Sequence, residues 1–89
     1  MKTVIIDLSK PALKYELHKN IRETLGFPDY YGCNLDALHD CLTDIFEPTT
    51  VILRGARNAG TYMQGYVNVA VEVFTQSARE NSHLRVVEE

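Results

Sequence analysis

Two hydrophobic periods alternate along the chain, and their succession predicts the elements. Residues 3 to 6, Thr-Val-Ile-Ile, are β-branched throughout and predict a short strand. An unbroken run rather than an alternation implies cover on both faces, as in a parallel sheet. Leu13, Leu17, Ile21 and Leu25 then mark one face of a helix. Pro11 suits the first helical position, Gly26 the residue just past the end, and Pro28 prevents resumption. Leu35, Leu38, Leu42 and Ile45 predict a second helix, with Asn34 as the N-cap whose side chain accepts an orphan backbone N–H. Residues 49 to 54, TTVILR, and 83 to 88, HLRVVE, read as two further strands.

One stretch carries two periods at once. Val67, Val69, Val71 and Val73 alternate as a strand would, whereas Met63, Tyr66, Val67, Ala70, Val71, Phe74 and Ala78 recur as on a helix. The longer pattern wins, so a helix is expected there, ended by Asn81. Gly55 to Gly65 has no dominant period and holds either a short helix or a loop. The order is then β-α-α-β-(α)-α-β, which predicts an α/β fold: a small three-stranded parallel sheet packed with about four helices.

Composition narrows the class. The chain has 89 residues with ordinary apolar and charged fractions, so residues 1–89 are expected to form a single ordered domain with a modest core. No apolar run approaches the ~20 residues that a membrane span needs, and MKTVIIDLSK lacks the core of a signal peptide. A cytoplasmic location is expected. Cys33 and Cys41 fall too far apart along the second helix for a disulfide and have no zinc-like spacing, so reduced thiols are expected.

Charge changes the picture more than composition does. The net charge is −3, yet residues 23 to 53 hold Glu23, Asp29, Asp36, Asp40, Asp44 and Glu47 with no Lys or Arg among them. Asp36, Asp40 and Asp44 recur every four residues and so share a helix face, where like charges repel. Only Asp36 is well placed against the helix dipole. Such a field repels nucleic acid as a direct partner and favours a basic protein or a cation. Phe27, Tyr30 and Tyr31 crowd the loop beside Pro28 and Gly32, more aromatics than one small loop buries, so at least one is expected at the surface. An exposed Tyr beside acids is an interface composition.

Other chemistry is weakly supported. Asp36, His39 and Asp40 are the residues a metal would use, but acids outnumber histidines and a solvated polar face is the expected reading, with no metal and no cofactor. Phosphate-cradling motifs are missing. A Cys33–His39 nucleophile has no orienting group or oxyanion site in view, so no catalysis is expected.

The motif Pro28-x-Tyr30-Tyr31-Gly32-x-Asn34-Leu35-Asp36-Ala37-Leu38-x-Asp40 resembles that of the barstar family, intracellular inhibitors of small secreted ribonucleases of the barnase type. Weaker similarity runs through the first strand, the Leu-Gly-x-Pro exit of the first helix, the strand after Pro48, and Val73-Phe74. The resemblance implies a toxin-antidote inhibitor that plugs a basic ribonuclease 1:1. Its acids would stand where RNA phosphates bind. It implies contacts by Tyr30, Gly32, Asn34, Leu35, Asp36 and Asp40, with Asp44 at the rim. His39 and Ile45 stand where the family pattern has tryptophans, and Gln76 stands near a contacting glutamate. These three alter the rim, and His39 beside Asp36 and Asp40 implies pH-sensitive binding. The alternative is a regulatory module for some other basic protein.

Overall fold

The computed structural model describes residues 1–89. Strand β1 (Lys2–Asp7) leads into helix α1 (Lys14–Leu25), then α2 (Leu35–Thr43), strand β2 (Thr49–Arg54), a 3-10 turn at Ala56–Asn58, helix α3 (Gln64–Glu80) and strand β3 (Leu84–Glu88). The strands pair in parallel in the order β1-β2-β3, with Val4 beside Val51 and Val51 beside Val86. There are three α-helices rather than four, because the ambiguous stretch before Gly65 makes only the single 3-10 turn. The doubly patterned segment is helical, and Asn81 is its C-cap.

Burial separates the two faces of the sheet. Ile6, Val51, Leu53 and Leu84 join Leu17, Ile21 and Leu25 of α1, Leu38 and Leu42 of α2, and Val67, Ala70 and Phe74 of α3 in one core. Each such aliphatic side chain removed from water stabilises the fold by about 1.5–3 kcal/mol. The opposite sheet face carries Ile5, Ile52 and Val87 in register, and none of them belongs to the core. Ile5 is 47% exposed. The expected cover on both faces is therefore absent: the helices lie on one side, and the β-branched runs serve strand propensity as much as burial.

The start of α1 also differs from expectation. Asp7 accepts from both the backbone N–H and the hydroxyl of Ser9, and this turn carries the chain past Pro11 before any helix forms. Leu13 is the N-cap and is exposed rather than facing the core. It has no side-chain acceptor, so only half of a capping box is made: Glu16 accepts from the N–H groups of Ala12 and Leu13. The helix ends as expected, with Gly26 in the left-handed region at φ 70°.

The loop after α1 and the whole of α2 stand over the core beside α3, and α2 packs chiefly against α3. No helix is long and apolar enough to cross a membrane.

Candidate functional site

A short, tightly held loop presents the aromatics. The Tyr31 N–H donates to the Pro28 carbonyl, closing a turn at 3.0 Å. Tyr31 then points into the core while Tyr30 is 87% exposed. Gly32 runs so close to α2 that a Cβ there would meet Asn34 Nδ2 at 3.2 Å and the Ala37 Cβ at 3.3 Å. Asn34 joins the two elements: its Oδ1 accepts from the Ala37 N–H at 2.7 Å and its Nδ2 donates to the Gly32 carbonyl at 3.2 Å. The N-cap expected at Asn34 is thus made. Cys33 sits between them at φ 53°, a left-handed conformation unusual for a side-chain-bearing residue.

Leu38 and Leu42 bury one face of α2, and Leu35 is half-buried beside them. The other face holds Asp36 and Asp40, both exposed, and Asp44 follows as the exposed C-cap. An anion at the carbonyl end of a helix opposes its dipole, and no basic residue lies in the last turn. The four close ionic contacts in the structure involve neither Asp36 nor Asp44, and reach Asp40 only through His39 Nδ1 at 3.8 Å. Of the acids in this stretch, Asp29 has a basic partner, Arg22, at 3.1 Å. The carboxylates therefore project a field that nothing within the chain neutralises.

Loop and helix meet in a shallow depression of about 200 Å³ lined by Tyr30, Tyr31, Gly32, Ala37, Asp40 and Cys41. Tyr30, Gly32 and Asp40 are thereby brought together, with Asn34 at the joint. His39 places Nε2 3.0 Å from a Glu80 carboxylate oxygen. Gln76 donates to the other oxygen of Glu80 at 2.9 Å. These bonds lower the Glu80 carboxyl below its usual range, Gln76 foremost and His39 next. Gln76 thus joins His39 through an intermediary. Ile45 lies beyond the end of α2 and borders a different depression with Leu25, Phe46 and Glu47.

Two candidate residues escaped the sequence reading. Glu80 is the last residue of α3, where an anion is disfavoured by the dipole, as Asp44 is at the end of α2. Phe46 is 85% exposed just past the acidic face. It lies outside the helical pattern of Leu35, Leu38, Leu42 and Ile45, which gave it no assigned face. Asp36, His39 and Asp40 do not converge on a point, and His39 makes no bond to Cys33. Both cysteines are free and partly buried. Burial raises the Cys41 thiol, with Asp44 and Asp40 adding to the effect.

Comparison with known proteins bears on this arrangement. A family model described as "Barstar (barnase inhibitor)" matches residues 1–88. A Bacillus subtilis (strain 168) protein named "Putative ribonuclease inhibitor YrdF" is 37% identical over 81 residues, spanning 90% of this chain and 89% of that protein.

Proposed function

The chain belongs to the barstar family, and we propose that it inhibits a small, basic, barnase-type ribonuclease in a 1:1 complex. Inhibition of a ribonuclease is the reading the family supports, and the acidic face supports the basic target. One observation carries it: Asp36, Asp40 and Asp44 stand exposed on one side of α2, without a Lys or Arg partner in the chain. Like charges at this spacing repel one another in the isolated protein, and only Asp36 is offset by the helix dipole. They become favourable inside a cleft whose Arg and Lys groups are arranged for RNA phosphates.

The inhibitor contributes binding alone and no catalytic step. Long-range attraction between its acidic face and the basic cleft speeds encounter. Tyr30 and Asp40, flanking one depression, then enter the cleft and exclude substrate. Asp36, Asn34, Gly32 and Leu35 complete the central contact. His39, Asp44, Ile45 and Gln76 form its rim. Such a protein acts in the cytoplasm, where a ribonuclease would otherwise reach cellular RNA.

The test is titration of RNA cleavage by a panel of basic microbial ribonucleases, barnase included. The expected outcome is loss of cleavage at one equivalent of inhibitor for at least one enzyme. Full activity throughout the panel, together with capture of a basic non-nuclease, would overturn this reading in favour of a regulatory module.

A further inference from the structure

His18 lies wholly buried in α1, and both its ring nitrogens are hydrogen-bonded to tyrosines. Nδ1 is 2.7 Å from the Tyr31 hydroxyl, and Nε2 is 2.6 Å from the Tyr66 hydroxyl. The three rings pack together, with centroids 5.7 Å apart in each pair, tilted to Tyr31 and edge-on to Tyr66. One imidazole therefore ties α1, the aromatic loop and α3 together.

Proton accounting fixes the direction of the chain of bonds. A neutral imidazole offers one donor and one acceptor. Tyr31 is buried, and its hydroxyl has no other partner, so its proton must go to His18 Nδ1. Tyr66 is only partly buried, so of the two hydroxyl protons that of Tyr31 has the greater need of the ring acceptor. Nε2–H then donates to Tyr66, and both ring nitrogens and the Tyr31 hydroxyl are satisfied. Burial raises both tyrosine hydroxyls, which keeps them protonated as this pattern requires.

Tyr31 is the inward half of the pair whose outward half is Tyr30. Gly32 and the left-handed Cys33 follow directly. Among side-chain hydrogen bonds, the loop's anchors are therefore Asn34 to the Ala37 N–H of α2 at one end, Asp29 to Arg22 at the surface, and Tyr31 to His18 beneath. Of these only the last is buried. We propose that His18 is a positioning residue of the inhibitory face: gripped between Tyr31 and Tyr66, it holds the Tyr30–Asn34 loop in its binding conformation before the partner arrives. A loop ordered in advance gives up less conformational entropy on binding. The consequence for affinity rests on the ribonuclease-inhibitor reading, whereas the ordering of the loop does not.

Tyr31→Phe deletes one oxygen and touches no exposed contact. Backbone order parameters from NMR relaxation of the free protein are the decisive readout. In the parent, residues 30 to 34 should match the helices, at about 0.85, and in Tyr31→Phe they should fall below about 0.6 while α1 and α3 hold their values. Dissociation from an inhibited ribonuclease should become at least tenfold faster. A purely structural role would loosen α1 and α3 along with the loop, and that result, or an unchanged loop, would overturn the proposal. Should Tyr31→Phe not fold, Tyr66→Phe takes its place: a loosened loop with dissociation at least threefold faster upholds the clasp, and an unchanged loop overturns it. A parent protein that binds no ribonuclease would count against the proposed function, and the relaxation data on the free chain would still decide the clasp.

Discussion

The side-chain amide of Asn81 donates to the backbone carbonyl of Leu42 at 3.0 Å, so the residue that ends α3 also caps the end of α2. The same nitrogen reaches the Ile45 carbonyl at 2.8 Å, and the side-chain oxygen accepts from the His83 N–H at 3.0 Å. The last carbonyls of a helix have no partner of their own, and burying them unpaired costs about 1–3 kcal/mol each. Asn81→Ala is therefore expected to destabilise the protein by at least ~2 kcal/mol, read as a lowered urea midpoint with unchanged slope.

Cys33 gives the opposite expectation. Its φ of 53° costs a residue with a side chain roughly 1–2 kcal/mol, which glycine escapes. Glycine is also more flexible when unfolded, offsetting about half of that gain. Cys33→Gly should raise stability by about 0.5–1 kcal/mol and shift the thermal midpoint upward by a few degrees.

How much of this was legible follows from where each signal resides. The N-cap at Asn34, the glycine exit at Gly26 and the strand at 49–54 are local, and each depends on a few adjacent side chains. The helical reading of 66–74 needed a longer window, since Val67 to Val73 alternate perfectly over the shorter one. Most of what failed was non-local. Ile5 looks buried in sequence, yet which sheet face receives the helices is decided by packing. Pro11 marks a helix start by rule, but the Asp7–Ser9 turn defers the helix to Lys14. On the candidate site, the acidic row and Tyr30 were legible because they violate local preferences. Glu80, the partner of His39, is 41 residues away from it and had no local cue tying the two.

A pH dependence follows from His18. Burial lowers its basicity below the ordinary histidine value of 6.5, so the unfolded chain binds a proton more readily than the folded one. The sign is set by that order: the stabilisation is complete above pH ~6.5 and is lost as pH falls from there toward the depressed folded value. Protonation would make both ring nitrogens donors and leave the Tyr31 proton without an acceptor. The surrounding groups do not compensate, since Tyr31 and Tyr66 stay neutral and Lys14, 4.9 Å from the Tyr66 ring centroid, adds positive charge. Asp7 and Glu80 are lowered, by Ser9 and by Gln76 foremost, from values already at 3.8 and 4.5, so they act below this window. Stability measured by urea should thus be lower at pH 5 than at pH 7.5. The non-titrating His18→Gln should show a flatter profile over that range. An identical slope in both proteins would assign the effect elsewhere.

Asp40 is the acid on which binding should depend most. It lies in the middle of α2, where the dipole offers it little, and its side chain is 83% exposed. It borders the same depression as Tyr30 and Gly32, which places it at the centre of the candidate face. Asp36 has a partial structural reason for its position in the first turn, and Asp44 lies a turn further toward the rim. A central carboxylate entering a basic cleft is desolvated and accepts several charge-assisted bonds, whereas a rim carboxylate stays wet and screened. Asp40→Ala is therefore expected to weaken ribonuclease binding by at least ~2 kcal/mol, chiefly through faster dissociation. Asp44→Ala should chiefly slow association, and more strongly at low salt. Folding should be nearly unaffected by Asp40→Ala, because alanine is a better helix former and a repulsion with Asp36 and Asp44 disappears. Thermal melts run beside the binding kinetics separate these effects. If Asp40→Ala unfolds the protein, or dissociates as slowly as the parent, the inhibitory face has been placed on the wrong side of α2.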